Sequence, residues 1–539
     1  MKMTPTVLVR LLLVAVAQKC PLLLVSAFGS SMRMSTVAPS STAAGGGKRL
    51  PLSTTAGSGS SAAARVPARR APAIRKPSHA MKSLDLLPQF PRTWVPLAST
   101  YELDPDRPTP LQFLGNNYVA YKDNSGRWSV LDDACAHRLV PLSEGRVDRD
   151  ADALECAYHG WSFDADGSCK RIPQAPEDMS ERWKANPRAC VRAYPTTVEK
   201  GVVFMWPWSE DVLSVASDPS AHPEAMMGGV YANSSSYTRD LPYGWDMLLE
   251  NLVDPAHIPF AHHGMQGTRS DSVPIKMSVP EDIDERGFSL DFEDRTMKMD
   301  RKGKLDFNAP YMVDYNGEFD TDPVRPFKLS ALCIPTKPGW SRAIIFSGSG
   351  KPDEEEVGEK KKKKKKSLVA VVFKLLPVWV THLLSNRFLD SDLAFLHYQG
   401  LERTRRGPEA ERDYFIPAQS DRCVDALRKW VKKYAHVPGK SEGDKAETEV
   451  GAIAGSSQMR TELFDHYGQH TSHCVHCLQA LEGFKMWRKR AGLVAVLSVL
   501  LIRSVFARCT LVGSLALLVT LDKIEPAFRK GDFKHYQNN

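Results

Sequence analysis

Two thiolate–imidazole pairs stand close together in this 539-residue chain: Cys135-Ala-His137 and Cys156-Ala-Tyr-His159, with 18 residues between them. Two loops of this kind can grip a [2Fe–2S] cluster from opposite sides, with both thiolates on one iron and both imidazoles on the other. Imidazole is neutral where thiolate is anionic, so such a cluster is easier to reduce. Zinc also takes two Cys and two His, but its motifs pair like ligands. Here each half is mixed. Leu142-Ser-Glu-Gly145 and Gly160-Trp161 supply turns and a cover for the two loops.

A second constellation is Asp254-Pro-Ala-His257-Ile-Pro-Phe-Ala-His262. Two imidazoles and one carboxylate on one face of a mononuclear iron leave positions open for oxygen and substrate. Pro259 between the imidazoles argues against a regular helix, and a broken one still converges both rings. His263 is the alternative second ligand, less favoured on spacing. The third ligand must come from elsewhere: Asp392, on a predicted helix from Ser385 to about Arg405, with Asp390 as runner-up. Asp254 is expected to accept a hydrogen bond from a ligand imidazole. One site delivers an electron and the other activates oxygen, which points to an oxygenase rather than a simple electron carrier.

Cys474-Val-His-Cys477 is a separate C-x-x-C. No His follows it, which excludes covalent haem by pattern. Zinc there needs two more ligands, for which His470, His473 and His476 are near in sequence. A disulfide-forming dithiol is the other reading. The remaining cysteines are scattered, and ten in a chain this long do not make a disulfide framework.

These residues need a scaffold, and the predicted fold is α+β. Residues 90–210 read as an all-β domain, with short strands and turns such as Asn117-Tyr-Val-Ala-Tyr-Lys followed by Asp123-Asn-Ser-Gly126. Residues 211–436 read as antiparallel sheet plus helices, interrupted by a charged loop at 351–366. That lysine run precedes the apolar-aromatic stretch Ser367 to Val380, a pairing suited to an anionic membrane surface. A linker follows at 437–458, then the C-x-x-C segment at 459–487 and a membrane-associated tail at 488–539. Leu493 to Leu521 is strongly apolar behind Lys485, Arg488, Lys489 and Arg490. It fits a single tilted helix or a shallow helical hairpin, and two full spans do not fit comfortably.

The formal charge of +8 is unevenly placed. Twelve of the 71 basic residues lie in residues 1–84, which hold no Asp or Glu; elsewhere 59 basic residues face 63 acidic ones. A slightly acidic body excludes nucleic acid as the expected partner. The front reads as an address: apolar Leu11 to Ala17 and Pro21 to Ala27, then an acid-free stretch rich in Ser, Ala, Gly and Arg. It resembles the bipartite presequences of algae whose plastids have extra membranes, with the cut before Phe28.

The chain resembles the Rieske non-haem iron oxygenases, in the plastid branch of pheophorbide a oxygenase, chlorophyllide a oxygenase and the translocon Rieske protein. The resemblance is carried by Cys135 to Arg146, Cys156 to Phe163, Glu250 to His263 and Asp392 to Gln399. Cys474/Cys477 and the apolar tail place it nearer pheophorbide a oxygenase and the translocon protein than chlorophyllide a oxygenase. The resemblance implies a Rieske [2Fe–2S] cluster and a mononuclear Fe(II), with ferredoxin as electron donor, O2 and a tetrapyrrole as substrates, and a homotrimer at a plastid membrane. In it the electron passes between subunits with Asp254 between the ligand sets. The resemblance also implies a thioredoxin-responsive dithiol at Cys474/Cys477. A redox-sensing subunit of a protein-import complex is the alternative function.

Overall fold

The strands of residues 90–208 sort their side chains between two cores. In a computed structural model of the chain, described over residues 90–208, 222–230, 235–280, 282–322, 324–347, 376–407, 410–435 and 459–535, strands β1 (Val95–Ser99), β2 (Thr109–Phe113), β3 (Asn116–Lys122) and β4 (Trp128–Asp132) open the first domain. The rest are β5 (Arg146–Asp148), β6 (Ala153–Glu155), β7 (Ser162–Phe163), β8 (Cys169–Arg171), β9 (Ala193–Tyr194), β10 (Thr196–Glu199) and β11 (Val202–Met205). They form three antiparallel sheets, ordered β1-β11-β10, β2-β3-β4-β9 and β5-β6-β7-β8. Successive residues of β3 point to opposite faces, and both faces are buried. Tyr118 and Ala120 join the large central core, whereas Val119 and Tyr121 join a smaller one with Leu131, Leu142, Leu154 and Phe163.

The second domain is a seven-stranded antiparallel sheet, ordered β12-β18-β17-β16-β15-β14-β13. Its strands are β12 (Ser235–Leu241), β13 (Lys276–Met277), β14 (Gly287–Thr296), β15 (Met299–Asn308), β16 (Met312–Phe319), β17 (Arg325–Lys337) and β18 (Trp340–Ser347). Helices α1 (Trp245–Leu252), α2 (Val378–Arg406) and α3 (Arg422–Trp430) cover it. Helix α1 is amphipathic in charge as well as hydropathy. Asp246 and Glu250, one turn apart, meet Arg403 of α2 and Arg428 of α3, while Trp245, Leu248 and Leu249 enter the core.

Helix α2 begins at Val378, earlier than the expected Ser385. Trp379 belongs to it and packs edge-on against Phe484, with Phe528 beside it. The described end of the apolar-aromatic stretch is therefore an interior contact rather than a membrane-facing one. The presequence, the charged loop at 351–366 and the linker at 437–458 lie outside the described residues.

No break separates the C-x-x-C segment from the tail. Helix α4 (Val475–Leu500) runs through the expected boundary at 487/488, turns at 501–504 and returns as α5 (Val505–Ile524). The chain then folds back on the body it left. His535 bonds the Ser391 carbonyl at 2.7 Å, the Ala527 carbonyl is held by His466 Nδ1 at 2.7 Å, and Phe533 enters the central core. Both ends of the hairpin thus lie on one side, which decides for the hairpin over a single tilted helix. Its outer half exposes Leu493, Val496, Leu500, Leu501, Val505, Phe506 and Val512.

Candidate metal centres

Cys135 lies on the loop after β4 and Cys156 on the loop after β6. Both thiols are free and buried in the smaller core. Each loop closes on its own backbone. Leu139 N–H donates to Cys135 C=O at 2.8 Å, and Gly160 N–H donates to Cys156 C=O at 3.1 Å. Asp133 binds the backbone N–H and the hydroxyl of Ser143 at 2.7 Å each, tying the first loop to the turn after it. Gly145 ends that turn where a Cβ would stand 2.1 Å from the Glu155 carbonyl, so no larger residue fits.

The imidazoles of His137 and His159 lie toward the surface, with ring centroids 4.6 Å apart. Trp161 stacks on His137 at 4.9 Å and 5°. The Nδ1 of His137 is buried without a hydrogen-bond partner. An orphaned buried ring nitrogen beside two buried free thiols fits a cluster held by these four residues. Leu139 and Tyr158 stand exposed at the rim beside the imidazoles.

The second centre is built from a broken helix and a continuous one. After α1, Asp254 caps a one-turn helix by accepting the Ala256 N–H at 2.7 Å, with Pro255 at its first position. A second short helix, Ile258–Ala261, carries Pro259. His257 and His262 flank that second turn, and their ring centroids are 5.1 Å apart. Asp392 approaches from α2: its Oδ2 is 3.3 Å from His262 Nε2 and 3.9 Å from His257 Nε2. All three ligand atoms lie within 4.8 Å of one another. The second carboxylate oxygen, Oδ1, is buried with no hydrogen-bond partner. A two-His, one-carboxylate set with that orphaned oxygen fits a mononuclear iron.

Both imidazoles are held in one tautomer. His257 Nδ1 donates to the Asp254 backbone carbonyl at 2.5 Å. His262 Nδ1 donates to Ser391 Oγ at 2.7 Å, and Ser391 in turn donates to the Phe388 carbonyl at 2.6 Å. Each Nε2 is thereby left to face Asp392. Phe388 also stacks on the His262 ring at 3.8 Å. Burial disfavours charge on His257, but the hydrogen bonding it donates to Asp254 and the charges of Asp392 and Asp254 outweigh burial, so that imidazole is pushed up to about 9. Burial wins at His262, which is lowered. Burial alone would raise Asp392; His262 and His257 outweigh it and hold the carboxyl ionised.

Asp254 meets His257 chiefly through its backbone: the carbonyl accepts from Nδ1, while carboxylate Oδ2 lies 3.7 Å from the same nitrogen. The side chain is engaged in capping the turn. Asp390, the runner-up ligand, is elsewhere: it pairs with Arg239 at 2.8 Å and with His466 at 2.9 Å. His263 Nδ1 accepts the Arg269 N–H at 3.0 Å and stays outside the triad. Ser391 and Phe388 were not expected; their only sequence signal is position, on the helical face next to Asp392. Cys474 and Cys477 are buried as free thiols beside two imidazoles, His382 and His470.

Comparison with known proteins finds two families along the chain. Residues 93–195 match the Rieske [2Fe-2S] domain family, and residues 307–410 match the family described as pheophorbide a oxygenase. Chloroplastic pheophorbide a oxygenase of Oryza sativa subsp. japonica is 33% identical over 399 residues, covering 70% of each chain. Chloroplastic flavonoid 8-hydroxylase 2 of Ocimum basilicum is 33% identical over 412 residues, covering 70% of this chain and 71% of that one. Chloroplastic protochlorophyllide-dependent translocon component 52 of Arabidopsis thaliana is 31% identical over 432 residues, covering 70% of this chain and 71% of that one.

Proposed function

Because the chain belongs to the pheophorbide a oxygenase family of Rieske non-haem iron oxygenases, we propose that it oxidises a planar, chlorophyll-derived tetrapyrrole, with ferredoxin as its electron donor. In this reading Cys135, His137, Cys156 and His159 hold the cluster, and His257, His262 and Asp392 hold the iron. The observation that carries it is the convergence of His257 Nε2, His262 Nε2 and Asp392 Oδ2 in a buried triad. When bound, the cluster supplies single electrons and the iron activates O2.

The chain's own residues prepare that chemistry. The Asp254 carbonyl and the Ser391 hydroxyl accept from Nδ1 of the two ligand imidazoles and so aim each ring. Phe260, between the two ligands in sequence, is half-exposed and offers an aromatic face for a flat substrate. The Asp254 side chain stays partly exposed beside His257, which suits a contact with a neighbouring copy in a homotrimer.

The hairpin of α4 and α5 supports a place at a plastid membrane. Val505–Phe528 is long and apolar enough to cross one, and little of it is buried. Helix α4 exposes about fifteen ångströms of apolar length beyond Ala491 at 1.5 Å per residue, shorter than a bilayer core of about 30 Å. We therefore read the hairpin as embedded rather than as two full passes. An embedded anchor brings the iron site to the phase where an apolar tetrapyrrole dissolves.

A second reading rests on the translocon relative: a redox-sensing subunit of a protein-import complex. That role uses a cluster and leaves the mononuclear triad without a task. Incubating the reduced holoprotein with ferredoxin, 18O2 and a panel of pheophorbide a, chlorophyllide a, protochlorophyllide and a flavone separates them. Label in a tetrapyrrole product is expected. Hydroxylation of the flavone alone overturns the substrate class, and no labelled product from any of the four overturns the oxygenase reading in favour of the sensor.

A further inference from the structure

We propose that His382, His470, Cys474 and Cys477 hold one structural zinc ion, which ties the base of the membrane hairpin to the helix that carries Asp392. All four side chains are buried: His382 is 3% exposed, His470 1%, Cys474 1% and Cys477 0%. Their ligand atoms converge within 4.8 Å of one another. His470 Nε2 lies 3.2 Å from His382 Nδ1 and 3.3 Å from Cys477 Sγ. Cys474 Sγ and Cys477 Sγ lie 3.4 and 3.6 Å from His382 Nδ1.

These separations are the edges of a tetrahedron around one ion. Zinc with nitrogen at about 2.0–2.1 Å and sulfur at about 2.3 Å has ligand–ligand edges of roughly 3.3–3.8 Å. A two-iron cluster needs a wider cradle, so the quartet suits a single ion. Two thiolates and two neutral imidazoles match zinc in charge and in softness. All four positions are protein ligands, which makes the site closed and structural rather than catalytic.

The surroundings orient the ligands as metal sites require. His470 Nδ1 donates to the Thr238 carbonyl at 2.6 Å, so its Nε2 presents a bare lone pair to the quartet. Cys474 is the N-cap of α4 and Cys477 sits in its first turn, so one helix end supplies both sulfurs.

The ion would join two segments that are distant in sequence, α2 and the start of the hairpin. His382 lies one residue short of three turns before Asp392 on α2, about 15 Å along the axis. Cys474 and Cys477 begin the first arm of the hairpin. Phe528, from the returning end, closes the quartet with Leu481 and Trp379. The position of α2, and with it the iron carboxylate, then depends on zinc.

Elemental analysis of the full-length holoprotein in detergent is the test. One zinc per chain is expected beside the irons of the two centres. Cys474→Ser and His382→Ala each lower zinc to near zero, while His473→Ala, outside the quartet, keeps it. Should the ligand variants fail to fold, the wild type decides: protein produced with cobalt in place of zinc shows the visible bands of tetrahedral thiolate-bound Co(II). Wild type with no metal beyond the two iron centres, with Cys474 and Cys477 joined in a disulfide or alkylated as fast as exposed Cys509, overturns the proposal.

Discussion

His262 and Asp392 meet at 3.3 Å between Nε2 and Oδ2, both almost wholly buried, although 130 residues separate them in the chain. Its neighbour Asp390, two positions earlier, points to the other side of the same helix. A step of two residues turns a helix by about 200°, so the two carboxylates cannot share a site. Asp390 instead faces β12, with His382 and Asn386 at helical spacing: Asn386 Oδ1 accepts the Tyr237 hydroxyl at 2.5 Å, and Arg239 spans Asn386 and Asp390. One face of α2 turns Asp392 toward the two imidazoles, and the opposite face holds the helix to the sheet.

That division predicts opposite phenotypes for neighbouring substitutions. Asp392→Asn removes the anionic ligand, and the mononuclear iron is lost while the cluster signal in electron paramagnetic resonance stays. Asp390→Asn leaves Arg239 buried without its charge partner, which costs about 3–5 kcal/mol. Its melting temperature falls, and the folded fraction keeps its iron. Iron retention in Asp392→Asn with iron loss in Asp390→Asn would reverse the assignment.

In the proposed reading Ser391 acts on the iron through His262, whose Nδ1 it holds at 2.7 Å. Replacing it with Ala frees the ring to turn and to change tautomer. Supporting hydrogen bonds of this kind typically account for about 10–100-fold in metal affinity. Equilibrium dialysis against Fe(II) is expected to show a loss in that range for Ser391→Ala and near-normal affinity for Ser391→Thr, which keeps the hydroxyl. Equal affinity of wild type and Ser391→Ala contradicts the role.

Asp246 gives a pH dependence of stability. Burial would raise its carboxyl, but Arg403 and Arg428 outweigh burial and hold it below the usual carboxylate range. An unfolded Asp titrates near pH 4, at about 3.9. The stabilisation is complete above that value and is lost as pH falls through the lower folded pKa. Asp246→Asn therefore melts below wild type at neutral pH, and the gap narrows as the buffer becomes acidic. A gap that is constant down to the acid limit of the fold contradicts this.

The exposed hairpin predicts membrane binding that is separable from the metal centres. Leu500 and Phe506 are 75% and 77% exposed near its tip. Changing both to Glu is expected to move the protein from the membrane pellet to the supernatant, with iron content unchanged. Continued sedimentation with membranes assigns the anchor to another part of the chain.

The chemistry was legible in the sequence where ligands are close together, and less so where the fold brings them in. Cys135/His137, Cys156/His159 and His257/His262 are local pairs whose spacing states their use. Asp392 was reachable as a carboxylate on a predicted helix, but Asp390 two positions away was left beside it until the helix face was seen. His382 was not, because it lies 92 residues before Cys474 in a helix whose start was placed too late. The C-x-x-C offered His470, His473 and His476 equally, and only the fold distinguishes them: His470 turns in against β12, whereas His473 and His476 bond the Gly468 and Tyr101 carbonyls. Asp254 illustrates a different limit: its proximity to His257 was evident, but whether carbonyl or carboxylate accepts depends on the turn that the side chain caps. The path of the hairpin, out and back to one face, depends on contacts of Phe533 and His535 that no local pattern announces.

In the proposed reading this chain oxidises its substrate at an iron held by His257, His262 and Asp392. Turnover by His257→Ala, measured with ferredoxin and labelled O2 on protein whose cluster spectrum is intact, tests it most directly. The expected result is an undiminished cluster signal with labelled product reduced at least 100-fold, the loss typical when a stabilising group of the reaction is removed, about 10²–10³. Wild-type product formation by that variant contradicts the claim and leaves the cluster as the functional centre.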